Sequence, residues 1–272
     1  MLGMISALRP EYINKLIRND GFEIIKTMKN INFLAFWNSK NSEKILFGLS
    51  PYYFFRFNDE YKISKSANAE GISMCTLNRD DCIFGFIPIL GSIYKYNGSF
   101  KEIKSIPYLT NHQVGMSCNN KFLYVANNNE KKIKKYDFYL NFIEDLQLDF
   151  FPFKIQSSEK LICITRSDPI ISFYDLSTKK IIFNYNNNKL QLTDLRVNHM
   201  RSKFYVTSAK DKLIFCINDD NPSKIEEIKI GNRLEEFIKS EKDGDLIIND
   251  STALCISNSK NCVLKFKFVA SE

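Results

Sequence analysis

Few residues in this 272-residue chain are of types that could do chemistry. There are two histidines, His112 and His199, and neither stands beside a serine, cysteine or acid as a nucleophile and base would. Seven cysteines, Cys75, Cys82, Cys118, Cys163, Cys216, Cys255 and Cys262, occur without a C-x-x-C pair, which gives zinc little to bind. Oxygen chemistry has more material. Glu70, His112, Asp194 and Glu235, with Asn32, each begin an apolar segment. If those starts converge, they could hold Ca²⁺, which takes about 6–8 oxygen ligands. Polar residues at the start of a strand are also ordinary, so the set is a candidate and no more. The third group is cationic. Lys131, Arg166 and Lys210, the last followed by Asp211, fall in short polar breaks, where a loop held by a rigid scaffold can bind a partner. The densest charge is Lys131-Lys132-Ile133-Lys134-Lys135. In a strand, Lys132 and Lys134 face away from Ile133 and Lys135, so the run does not make one continuous patch.

Composition bounds what these groups can serve. The formal net charge is +7 and the pI about 8.9. A mild excess spread along the chain reads first as a soluble surface and second as attraction to an acidic partner such as RNA. The cysteine count is odd, and several thiols sit inside apolar runs such as Leu161-Ile162-Cys163-Ile164. Free buried thiols predict a reducing compartment, and the expected location is the cytoplasm. No stretch reaches the about 18 uncharged apolar residues of a membrane span. The apolar start Met1 to Leu8 lacks a basic leader and is not read as a signal peptide. Asn97-Gly98-Ser99 and Asn249-Asp250-Ser251 match the glycosylation triplet, which chance supplies readily in an Asn-rich chain.

The elements that must position these residues are strands. A strand ending in an aromatic or Ile and followed by Asn, Asp or Ser recurs at Phe57-Asn58, Tyr96-Asn97, Tyr136-Asp137, Tyr174-Asp175, Ile217-Asn218 and Ile256-Ser257. The spacing of about 38 to 43 residues is that of propeller blades. The third unit resolves into 113–117, 121–126, 132–136 and 142–146, and the fourth into 152–155, 160–164, 170–174 and 180–183. The predicted fold is therefore all-β: a single β-propeller over 1–272 of six four-stranded blades, with seven and an incomplete closing blade as the alternative. The repeats run approximately 30–68, 69–109, 110–150, 151–191, 192–232 and 233–270. Residues 11–29 form an N-terminal half-blade of closing strands at Tyr12–Ile17 and Phe22–Lys26. The last unit, Glu235 to Phe268, is read as already holding four strands. Tyr12–Arg18 and Arg233–Ile238 could instead form helical turns. The expected binding face carries the loops between second and third strands: 50–51, 90–91, 127–131, 166–169, 209–211 and 249–251.

Two units resemble known repeats. Tyr124-Val125-Ala126-Asn127, with Ile133 and Tyr136-Asp137 downstream, resembles the NHL repeat, although Asn127, Glu130-Lys131 and Lys132 replace its usual Asp, Asn-His and Arg. Ile171-Ser172-Phe173-Tyr174-Asp175 resembles a WD-type repeat with Tyr174 in place of Trp. The resemblance implies a diverged member of the NHL- and WD-repeat-like propeller superfamily. The function expected on this basis is a non-enzymatic protein-interaction scaffold, monomeric, without cofactor or membrane contact, that presents its loop face to a protein or peptide. One alternative is an RNA-binding NHL-like propeller using a basic face. Another is a metal-dependent, lactonase-like hydrolase at the channel mouth.

Overall fold

Short runs rich in Ile, Val, Phe and Tyr, closed by Asn, Asp or Gly, favour hairpins over helices. The computed structural model of the chain describes residues 22–27, 33–38, 44–49, 53–57, 63–72, 74–77, 82–108, 110, 114–166, 168–186, 192–198, 203–208, 213–229, 246–249, 252–257 and 262–267. Among these, the one helical element is a 3₁₀ turn at Pro88–Leu90; the rest is strand and turn.

The strands make six four-stranded antiparallel sheets among the described residues. After β1 (Phe22–Thr27), the first sheet is β2 (Phe33–Asn38), β3 (Lys44–Leu49), β4 (Tyr53–Phe57) and β5 (Ile63–Asn68). The second is β6 (Met74–Leu77), β7 (Ile83–Ile87), β8 (Ser92–Tyr96) and β9 (Glu102–Pro107). The third is β10 (Val114–Cys118), β11 (Leu123–Asn127), β12 (Lys132–Tyr136) and β13 (Phe142–Gln147). The fourth is β14 (Ile155–Ser157), β15 (Leu161–Thr165), β16 (Ile170–Asp175) and β17 (Lys180–Asn186). The fifth is β18 (Leu192–Asn198), β19 (Lys203–Ser208), β20 (Leu213–Asn218) and β21 (Asn221–Lys229). The sixth is β22 (Leu246–Asn249), β23 (Thr252–Ser257) and β24 (Cys262–Lys267), with β1 outside β24. The first strands of successive sheets lie side by side: β2 with β6, then β10, β14, β18 and β22, which returns to β2. This closed cycle is the inner ring of a propeller.

The last sheet differs from the expectation that residues 235–268 hold four strands. The N-terminal strand occupies the outermost place, pairing Phe22 with Phe266 through Thr27 with Cys262. Each C-terminal strand therefore sits one place further in than its position in the repeat predicts. Ile256-Ser257 closes a second strand, not a third, and 249–251 joins a first strand to a second, on the face opposite the other loops of its class. The expected strand Tyr12–Ile17 and the segment Arg233–Ile238 lie outside the described residues.

Burial follows from side-chain alternation. Leu123 and Val125 pack with Phe84, Phe86 and Ile93 of the second sheet, whereas Tyr124 and Ala126 pack with Ile162, Ile164 and Tyr174 of the fourth. One strand thus serves two cores, so β7, β11 and β15 are buried at every position and read as continuous apolar runs. Leu161, Cys163, Ile171 and Phe173 carry the next core across to Phe204, Val206 and Phe215 of the fifth sheet. Cys118 and Cys163 are free and buried, burial pushes both thiols well above the ordinary range, and Cys216 is buried as well.

The Asn or Asp that ends the third strand of the second, third and fourth sheets has a local cause. The Asp137 carboxylate accepts the backbone N–H groups of Tyr139 and Asn141, both at 2.8 Å. Asn97 accepts those of Ser99 and Lys101, both at 3.0 Å, and Asp175 accepts those of Ser177 and Thr178 at 2.7 and 3.0 Å. Each is a side-chain-closed turn. Each contains a non-glycine residue in the left-handed region: Phe100 (φ 64°), Leu140 (φ 62°) and Lys179 (φ 56°). Phe100 and Leu140 offset that strain by burying their side chains in the adjoining cores.

These turns carry a pH dependence. Burial raises Asp137, but hydrogen bonds from Asn141 and Tyr139 outweigh it and hold the group below its usual range. Asp175 is lowered by the Ser177 hydroxyl and neighbouring backbone, and Glu144 by hydrogen bonds from Lys179 and Lys135. A carboxylate depressed in the folded state contributes stability above its unfolded value, near pH 4, and that contribution disappears as pH falls through the folded value. The melting temperature is expected to stay level from pH 7 to 5 and to drop below pH 4. In an Asp137→Asn, Asp175→Asn double variant the acid-side drop should be smaller, because Asn97 already closes the same turn without titrating. Equal drops in both proteins would assign the acid sensitivity elsewhere.

Candidate protein-interaction face

In an antiparallel sheet, the loops between second and third strands share a face with those leading from one sheet to the next. On this face the β11–β12 connection is braced by Asn127, whose side chain accepts the N–H of Asn129 at 3.0 Å and whose carbonyl accepts that of Glu130 at 3.0 Å. The Lys131 carbonyl then accepts the N–H of Leu148 at 2.8 Å, which ties this loop to the β13–β14 connection. That connection, residues 148–154, is held at its far end by β15. Phe153 N–H donates to the Thr165 carbonyl at 2.8 Å, and Thr165 N–H donates to the Lys154 carbonyl at 2.9 Å.

Between these anchors the backbone alternates. Pro152 is buried, while Phe151 and Phe153 on either side of it are 52% and 40% exposed. The Lys131 ammonium lies 5.4 Å from the centre of the Phe151 ring. The Arg166 guanidinium stacks 3.9 Å from the centre of Phe150 and donates to Asn184 Oδ1 at 3.3 Å. The result is a platform made by a pair of exposed aromatics, with Lys131 against Phe151 and Arg166 against the neighbouring Phe150, set on backbone fixed from both sides.

The other lysines of the 131–135 run are engaged elsewhere. Lys132 lies between Asp145 (3.0 Å) and Glu130 (3.3 Å), and its hydrogen bond to Asp145 raises its pKa. Lys134 is 3.9 Å from Glu130 and sits over the Tyr108 ring. Lys135 bonds Glu144 at 2.9 Å and covers Phe122 at 4.2 Å. Only Lys131 of the run stands beside the exposed aromatics.

The structure thus brings together Lys131 and Arg166 of the expected loop cations; Lys210 and Asp211 lie outside the described residues. The sequence reading missed the platform because it assigned Pro152–Ile155 to an inner strand, whereas β14 begins at Ile155. The signal was present in Phe150-Phe151-Pro152-Phe153, an apolar run in a connection that ought to be polar. Of the channel-mouth set, Glu70 and Asp194 fall among the described residues. Glu70 is exposed on the β5–β6 connection, with its own N–H bonded to Asn68. Asp194 lies within β18, beside an irregularity in its pairing with β19. His112, Glu235 and Asn32 lie outside the described residues. Among the described residues no three His, Cys, Asp or Glu side chains gather as metal ligands.

No family model and no curated protein matches this sequence. Solved structures do. A structure of Kluyveromyces lactis Hsv2 superposes with a TM-score of 0.56 at 15% identity, covering 84% of this chain and 71% of that one. A second Hsv2 structure from the same organism, with a complete loop 6CD, gives 0.55 at 15% identity over 84% and 70%. Chaetomium thermophilum Raptor gives 0.61 at 10% identity, and the match spans 89% of this chain but 24% of Raptor. Both neighbours are WD40 β-propellers. At these identities the likeness is one of fold: the chain has a propeller-type repeat fold of the kind seen in WD40 propellers.

Proposed function

We propose that this chain is a non-enzymatic interaction module whose loop face engages a protein or peptide partner. The observation that carries the reading is the platform of Phe151 and Phe153, exposed on a backbone held by Leu148, Phe153 and Lys154. Pre-organised aromatics and Arg are residue types that interface cores favour, and a Lys beside them suits the polar rim. Buried free thiols at Cys118 and Cys163 support a cytoplasmic location. No helix among the described residues is long and apolar enough to cross a membrane.

RNA is the second reading, since exposed Phe beside Lys is also what a single strand stacks on. It is weakened by Lys132, Lys134 and Lys135, whose charges are already opposed by Glu130, Asp145 and Glu144.

The test is quantitative affinity capture with the wild type, a Phe151→Ser, Phe153→Ser variant, and a Tyr139→Ser, Phe142→Ser variant altered at the β12–β13 turn on the opposite face. Partners should be lost with the first variant and retained with the second. Identical recovery by all three proteins would remove the loop face as the binding surface.

A further inference from the structure

Resting on that reading, we infer that the partner presents an extended segment in which a carboxylate lies next to an aromatic or large aliphatic side chain. In this arrangement Lys131 is the contacting cation and Arg166 a positioning residue. Phe151 and Phe153 are two residues apart and both exposed, on either side of the buried Pro152, so one apolar side chain of a partner can reach both rings. Lys131 flanks one of them, exposed and 5.4 Å from the Phe151 centroid. Lys131 is thus the exposed cation that stands directly against the platform, whereas Arg166 is set back beside Asp168.

Arg166 is differently placed. Its side chain is 18% exposed, stacked on Phe150, bonded to Asn184 and 3.9 Å from Asp168. A guanidinium held this way fixes the root of the aromatic loop and is committed to its own sheet. Nucleic acid is the poorer occupant, because phosphate recognition draws on several cations at once, and three of the lysines nearest the platform are spent on carboxylates.

The experiment is selection of a displayed library of random twelve-residue peptides on the full chain, with enriched peptides then titrated by fluorescence anisotropy. The enriched set should carry Asp or Glu within three positions of Phe, Tyr, Trp or Leu. Lys131→Ala should weaken those peptides about three- to tenfold and remove most of the salt dependence, as loss of a charge at an interface rim does. Arg166→Lys and Arg166→Gln should weaken binding alike while leaving the salt dependence intact, because both lose the stacking on Phe150 and the charge, which only the Gln variant removes, does not touch the ligand. Peptides that need Phe151 and Phe153 but lack carboxylates would overturn the acidic partner and leave the interaction module standing. Tighter binding of a random-sequence single-stranded RNA, with a steep salt slope, would overturn both. If no enriched peptide depends on Phe151 or Phe153, the inference falls, and the capture experiment above judges the loop face separately.

Discussion

Deleting residues 1–29 is expected to lower the melting temperature by roughly 10 °C or more and to turn a monodisperse protein into one that self-associates. The reason lies in β1. Phe22–Thr27 is the outermost strand of the last sheet, and its partner β24 is at the other end of the sequence. Five positions are paired in that ladder, from Phe22↔Phe266 to Thr27↔Cys262. At a net of about 1 kcal/mol per ladder hydrogen bond, the loss is several kcal/mol, well beyond the few tenths expected from removing a frayed tail. It also leaves the N–H and C=O groups along one side of Cys262–Lys267 unpaired, and an open strand edge is a template for another chain. Size exclusion and thermal melting of the truncated and full chains measure both effects. A synthetic peptide spanning residues 19–29 should restore part of the melting temperature, which separates loss of the strand from general damage. A truncated protein that elutes and melts with the full chain would make β1 an appendage.

That strand also shows how far the sequence could be read. The recurring aromatic or Ile followed by Asn or Asp located the third strands of five sheets, and in three of them Asn97, Asp137 and Asp175 close hairpins by accepting backbone N–H groups, a purely local interaction. Strand count and phase were legible for the same reason. The sixth sheet was not, since its outermost strand comes from the opposite end of the chain and no local spacing records which strands pair across it. The charged run was legible only in part. Alternation indicated that Lys132 and Lys134 diverge from Lys135, but Glu130, Asp145 and Glu144, which neutralise them, reach the lysines through turn geometry and sheet pairing. The aromatic platform was hidden by its own apolarity. Phe153 next to Ile155 looks like the start of an inner strand, but regular pairing with β15 begins only at Ile155, while Phe153 and Lys154 both bond to the single residue Thr165.

Gly115 joins the fold to that platform, and replacing it is expected to damage both. A Cβ at this position of β10 would lie 2.9 Å from the Phe153 carbonyl oxygen and 3.2 Å from the Ile155 nitrogen. Both obstacles are backbone, so no rotamer change relieves them. Nor can β14 move aside freely. Two residues along, the Ser117 hydroxyl accepts the Ser157 N–H at 2.9 Å and lies 3.0 Å from the Ser157 hydroxyl, and both serines are buried. The overlap must therefore be taken up by the segment carrying Phe151 and Phe153. Gly115→Ala should cost about 1–3 kcal/mol and Gly115→Val more, within the range of overpacked cores. Gly85→Ala is the control: there a Cβ meets only the Ile72 side chain, at 3.2 Å, and that side chain can shift. In urea unfolding, Gly115→Ala should lie well below Gly85→Ala. At temperatures where it is still folded, Gly115→Ala should also bind loop-face ligands more weakly than Gly85→Ala does, because the platform has been displaced. If the two alanine variants are equally stable and bind equally well, the approach of β10 to the Phe153 carbonyl is no constraint. The rigidity of the platform would then rest on its anchors to Lys131 and Thr165 alone.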